Sequence, residues 1–136
     1  MGTRSLTFIH EMEDEYLKGD KVVCVFFRHF DGYPSGHGQD LADFLNGKKL
    51  VNGRSSDFDK ATMFNRAGTM AVKLANHIQD ISGAEIIHGD NYNYGQDHDY
   101  HVYFRNGEFC IQIDGMEPVK ASEFNGKEME KKLYED

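Results

Sequence analysis

Residues 21–29 read KVVCVFFRH, a nearly continuous apolar run. Side chains alternate across a strand, so Val22, Cys24 and Phe26 take one face and Val23, Val25 and Phe27 the other. A strand that is apolar on both faces belongs inside a sheet covered on both sides. Upstream, residues 5–11 (SLTFIHE) alternate loosely and are joined to this run by the charged segment EMEDEYLKGD. Gly19-Asp20 supplies a turn signal, and the two runs read as a hairpin with the first strand nearer an edge.

Downstream, Leu41, Phe44 and Leu45 are spaced for a short helix that Gly47 can stop. Phe64, Ala67, Met70, Ala71, Leu74, Ala75 and Ile78 recur at three- and four-residue steps, which predicts a helix over 57–81 capped by Ser56 or Asp57. Gly68 interrupts it, and implies either a bend or a close neighbour. Strands are expected at 84–88, 98–105 and 108–113, the last two joined by Asn106-Gly107, a strong hairpin signal. The KEMEKKLYED tail reads as a short solvated helix. The sum is a single α+β domain over residues 1–136, with 115–136 peripheral: an antiparallel sheet of about five strands with two main helices packed on one face.

The chain has 136 residues and a formal charge of −8, with no basic cluster. Such a surface repels a phosphate backbone, so direct nucleic-acid binding is not expected, whereas a basic groove on a host protein would attract it. Cys24 and Cys110 each lie in an apolar run and read as buried thiols of a reducing compartment. No apolar run approaches the ~18 residues of a membrane span, and Leu6 stands where a myristoylation signal needs Ser or Thr. A cytoplasmic protein without membrane association is expected, and a homo-oligomer is compatible with the sequence.

Between the second strand and the first helix lies RHFDGYPSGHGQD (28–40). Asp31-Gly32 and Pro34-Ser35-Gly36 are turn chemistry. That leaves Arg28, Tyr33, His37 and Gln39 as side chains to project from the sheet rim toward a polar or anionic ligand. Ser35 lacks the glycine two residues before it that a nucleophile elbow requires. His98 and His101 should point to opposite faces of their strand, and with no ligand-type spacing among the seven histidines neither a metal site nor a cofactor is expected. The loop Asn91–Asp97 has the Tyr-Asn-Gln composition of an adaptable recognition surface, and adds Tyr92, Tyr94, Gln96 and His98 to the ligand-binding set. Glu13, Asp14 and Glu15, beside Glu11, form an acidic hairpin tip: a solvated face or a contact for a basic partner.

The opening MGTRS, FDGYPSGHGQDLADFL (30–45), Val51-Asn52-Gly53, Phe64-Asn65 and YGQDHDYHVY (94–103) resemble a family of small uncharacterised proteins of bacteria and their phages. The resemblance covers most of residues 1–115, and DGYPSGHG is its specific part. It implies a cytosolic domain of mobile-element type, of the kind that binds a host factor or sequesters a small molecule, and transfers no catalytic residue. The long acidic EMEDEYLKGD hairpin departs from the family pattern. The leading expectation is therefore a non-enzymatic, anti-defence type of binding protein for a small polar, nucleotide-like ligand or a host protein. The alternatives are a small hydrolase or transferase with His37 or His98 as general base, oriented by Asp31 or Asp97, and an acidic inhibitor of a basic groove.

Overall fold

The computed structural model describes residues 2–13, 17, 20–87 and 93–134, without the side chains of 80–82. In chain order the strands are β1 (Ser5–His10), β2 (Val22–Arg28), β3 (Lys49–Val51), β4 (Met63–Asn65), β5 (Ala84–Ile86), β6 (His98–Arg105), β7 (Glu108–Ile113) and β8 (Val119–Lys120). The helices are α1 (Gln39–Leu45), α2 (Arg66–Ser82) and α3 (Gly126–Tyr134). A π-helical turn, Pro34–Gly38, leads into α1, and a 3-10 turn, Ala121–Glu123, precedes α3.

The α+β class holds, but the sheet is mixed rather than antiparallel, with six strands in the order β5-β2-β1-β6-β7-β8. β1 pairs antiparallel with β2 and parallel with β6, so it sits at the centre instead of near an edge. Every residue of β1 is buried. The polar Ser5 and Thr7 hid this in the sequence: the Thr7 hydroxyl is buried against His37 Nε2, whereas the Ser5 hydroxyl is buried without a hydrogen-bond partner among the described residues. The β6–β7 hairpin turns on Asn106 and Gly107, both at positive φ (54° and 79°), as a two-residue primed turn demands.

Helix α2 begins at Arg66, not at 57. Phe64 belongs to β4, where it pairs in parallel with Leu50 of β3, so its helical spacing to Ala67 was coincidental. The capping role foreseen for Ser56 or Asp57 falls to Glu11. Its Oε1 accepts the Ala67 amide at 3.4 Å, and its Oε2 accepts Arg66 Nη2 at 2.8 Å. A carboxylate at a helix N-terminus meets unpaired N–H groups and the positive end of the helix dipole. Burial raises the Glu11 pKa, but Arg66 and the Met12 and Ala67 amides outweigh this and leave it below the ordinary carboxylate value.

One core lies between the sheet and the helices, with Ile9, Phe26, Tyr100, Val102 and Ile111 facing Leu41, Leu45, Met70, Leu74 and Ile78. The other sheet face carries a smaller cluster of Leu6, Phe8, Val25 and Phe27, against which Ile87 and Tyr94 pack. β2 is thus covered on both faces, as its sequence requires. Helix α3 is not peripheral. Met129 is buried, and at Gly126 an added Cβ would stand 2.5 Å from Pro34 O and Ser35 Cα, so helix and turn touch backbone to backbone. No helix among the described residues is long and apolar enough to cross a membrane.

Candidate functional site

The pairings of Ser5 with Arg28 on one side and with His98 on the other place both sequence-marked segments at the same end of the sheet. They form two separate arrangements around two buried histidines.

The first is a clasp. Arg28 and His37 do not project from the rim: Arg28 is 1% and His37 0% exposed. Arg28 Nη1 lies 2.9 Å from His37 Nδ1 and 3.0 Å from Asp40 Oδ2. A guanidinium only donates, so His37 Nδ1 must accept, and the proton of the neutral ring sits on Nε2, directed at Thr7 Oγ1 2.5 Å away. Burial, reinforced by the Arg28 charge, pushes the His37 pKa down to about 3. This imidazole has no free base position. It serves to join the turn to β1 and β2, and the Tyr100 hydroxyl adds a 2.6 Å bond to Gly32 O. Asp31 adopts φ +59°, and the Gly32 amide donates to Thr3 O, so most of the motif is a fastened turn. Tyr33 is partly exposed, and its hydroxyl leans on Asp31 Oδ1 at 3.3 Å. Gln39 is taken up by helices: its Oε1 accepts the Gly126 amide and its Nε2 donates to Asp43.

The second arrangement opens to solvent. Gly2, Thr3, Arg4, Asp97, His98 and Tyr134 line a cavity of about 470 Å³. The chain entering β1 is bound to the chain entering β6, since Arg4 N donates to Asp97 Oδ2 at 2.9 Å and the Asp97 amide donates to Arg4 O at 2.9 Å. His98 Nδ1 is 3.0 Å from Asp114 Oδ2, and its Nε2 is 2.6 Å from Tyr134 Oη. The second oxygen of Asp114 accepts the Asp99 amide at 2.9 Å. Burial raises the Asp114 pKa, yet the bonds from His98 and Asp99 more than offset it and hold the carboxyl ionised and acceptor-only. His98 Nδ1 is therefore the donor, and in the neutral ring Nε2 accepts the Tyr134 proton. Burial, together with the carboxylates of Glu130, Asp114 and Asp97, raises the Tyr134 pKa, so the phenol keeps its proton at rest.

Helix α3 links the two arrangements. Gly126, Glu130 and Tyr134 follow one another at four-residue steps on one helix face. Gly126 binds Gln39, Glu130 Oε1 accepts both the amide and the hydroxyl of Ser35, and Tyr134 reaches His98.

Of the described members of the ligand-binding set, His98 alone lines this cavity. Tyr94 packs near Phe27, with ring centroids 5.9 Å apart, and Gln96 Nε2 braces Asp99 Oδ1 at 3.0 Å. Tyr92 lies outside the described residues. So do Asp14 and Glu15 of the acidic tip, while Glu13 is exposed and Glu11 is turned inward onto α2. The orienter of His98 is Asp114, not Asp97. His98 and His101 point to opposite faces as expected, His101 stacking on Phe8 with its Nδ1 2.8 Å from His10 Nε2. Among the described residues no group of three or more His, Cys, Asp or Glu is placed to hold a metal ion.

Comparison of the chain with family models, curated proteins and solved structures finds no match. The functional reading therefore stands on this geometry.

Arg4, Asp114 and Tyr134 were not singled out in the sequence. Arg4 sits in an unremarkable opening, and Asp114 and Tyr134 lie 16 and 36 residues from the histidine they serve. One signal was available: Gly126, Glu130 and Tyr134 share a helical face, which a solvated helix has no need to assemble.

Proposed function

We propose that the protein binds a small anionic, nucleotide-like ligand in the cavity lined by Arg4, Asp97, His98 and Tyr134. The observation that carries this reading is Arg4. Its Nε is buried without a hydrogen-bond partner, and among the described residues no carboxylate pairs with its guanidinium. A buried donor left unmade costs about 1–3 kcal/mol, more for a charged group, and an anion entering the cavity would recover it. In a chain of net charge −8, a guanidinium left without a carboxylate partner is a selective point of attachment. The Tyr134 ring, 57% exposed, offers a face for a base to stack on, and Asp97 offers an acceptor for a hydroxyl or amine. A protein of mobile-element type would use such a cavity to capture a host signal.

Thermal shift against inorganic phosphate and a panel of nucleoside monophosphates tests the proposal. The expected outcome is stabilisation of the wild type by at least one compound, lost in Arg4→Ala. A wild type that no compound stabilises, or a shift retained in Arg4→Ala, contradicts it. The hydrolase or transferase alternative is favoured by a separate observation, the row Asp114, His98, Tyr134, with Asp114 in the orienting role first given to Asp97.

A further inference from the structure

Resting on the ligand reading above, we propose that Tyr134 is a catalytic nucleophile activated by the His98–Asp114 pair, and that the substrate is a phosphodiester whose anionic group is held by Arg4. Three observations carry it.

The first is the order of contacts. An activated nucleophile is recognised by a hydroxyl within about 2.6–3.2 Å of a base that a third group orients. Tyr134 Oη, His98 Nε2 and Nδ1, and Asp114 Oδ2 satisfy this at 2.6 and 3.0 Å, with the far oxygen of Asp114 pinned by the Asp99 amide. The second is contrast within the same molecule. His37 also meets a hydroxyl, that of Thr7, but Arg28 on its Nδ1 forces Nε2 to donate, so Thr7 cannot be deprotonated by it. His98 has a carboxylate on Nδ1 and is the reverse case. The third is access and charge. Tyr134 is the most exposed member of its row and shares a cavity with Arg4. One guanidinium, in a cavity that the Asp97 carboxylate also lines, matches the single negative charge of a diester better than the two of a phosphate monoester.

The chemistry balances without a co-reactant other than water. Tyr134 Oη forms a bond to phosphorus as its proton passes to His98 Nε2, and Asp114 stabilises the imidazolium. The bond from phosphorus to the leaving oxygen breaks, and that oxygen takes the proton from His98. Water then gives a proton to His98 and attacks phosphorus, the bond to Tyr134 Oη breaks, and His98 returns the proton to the phenol. The products are an alcohol and a phosphate monoester.

The test uses the full chain with bis(p-nitrophenyl) phosphate, reading nitrophenolate release and, after acid quench, the mass of the peptide carrying Tyr134. The wild type should turn over and carry one nitrophenyl-phosphoryl group on Tyr134. Tyr134→Phe and His98→Asn should each lose at least ~100-fold in rate, the lower range for removal of a general base. Asp114→Asn should lose rate as well. Inorganic phosphate should still stabilise Tyr134→Phe thermally but not Arg4→Ala. A wild type that phosphate stabilises but that gives neither turnover nor adduct would overturn the activity while leaving the binding proposal standing. Turnover undiminished in Tyr134→Phe would overturn the nucleophile. Absence of both stabilisation and turnover would overturn both.

Discussion

His37 and His98 flank the same end of β1, both nearly or fully buried, and differ in what faces Nδ1: a guanidinium in one case, a carboxylate in the other. That single neighbour decides which ring nitrogen can act as a base. It also sets how the fold responds to acid. The His37 pKa falls from 6.5 to about 3 on folding, so below pH 6.5 the unfolded chain binds a proton that the native state excludes. Stability is full above that pH and is lost as pH falls toward 3, at about 1.4 kcal/mol per pH unit. His101, lowered by burial, acts in the same direction, whereas the loss from Glu11 begins only below its ordinary value of 4.5. Denaturant midpoints measured from about pH 7 to about pH 5 should therefore fall in the wild type and fall less steeply in His37→Gln. Equal slopes would show that His37 is protonated in the native state. None of this was legible in RHFDGYPSGHGQD, because composition marks reactive side chains without saying which way they point. Asp31, Gly32, Pro34, Ser35 and Gly36 do lie in a turn, but the positive φ expected of glycine falls on Asp31, and Gly32 and Gly36 are instead needed for close approach to backbone oxygens; Arg28 and His37, expected at the rim, are what fastens that turn.

At the scale of elements, glycine separates what the sequence discloses from what it hides. Gly68 in α2 was expected to mark a bend or a tight contact, but no atom of the described residues lies within 4 Å of a Cβ placed there. Gly68→Ala should raise stability by about 0.5–1 kcal/mol through helix propensity alone. Gly126 looks equally ordinary in sequence, yet the backbone of the Pro34–Gly38 turn occupies the space of its Cβ. Gly126→Ala should lower stability by about 1–3 kcal/mol, the usual cost of overpacking. Thermal melts of the two variants check both signs, and shifts of the same sign would mean that α3 does not dock on the turn. Strand and hairpin signals were legible because they are local: KVVCVFFRH, HDYHVYFR and Asn106-Gly107 each carry their own periodicity or turn chemistry. The start of α2 was not, because its cap comes from Glu11, 56 residues before Ala67.

Across the whole molecule, the parallel pairing of β1 with β6 is the feature local patterns could not supply. It brings residues 2–4 beside residues 97 and 98, and α3 then closes the group by setting Tyr134 on His98. The β6–β7 hairpin returns Asp114 to the same place, at φ +52°. A site assembled from four distant points of the chain, three lining the cavity and Asp114 bonded to His98 behind it, leaves no contiguous motif, which is why the conspicuous motif marked the neighbouring clasp instead. The contrast between the two buried imidazoles is one of opposite tautomers, and long-range nitrogen–proton NMR of the histidine rings observes this directly. In the neutral rings, His37 should carry its proton on Nε2 and His98 on Nδ1, with the Tyr134 hydroxyl proton shared toward His98 Nε2. A proton on Nδ1 of His37, or on Nε2 of a neutral His98, would contradict it.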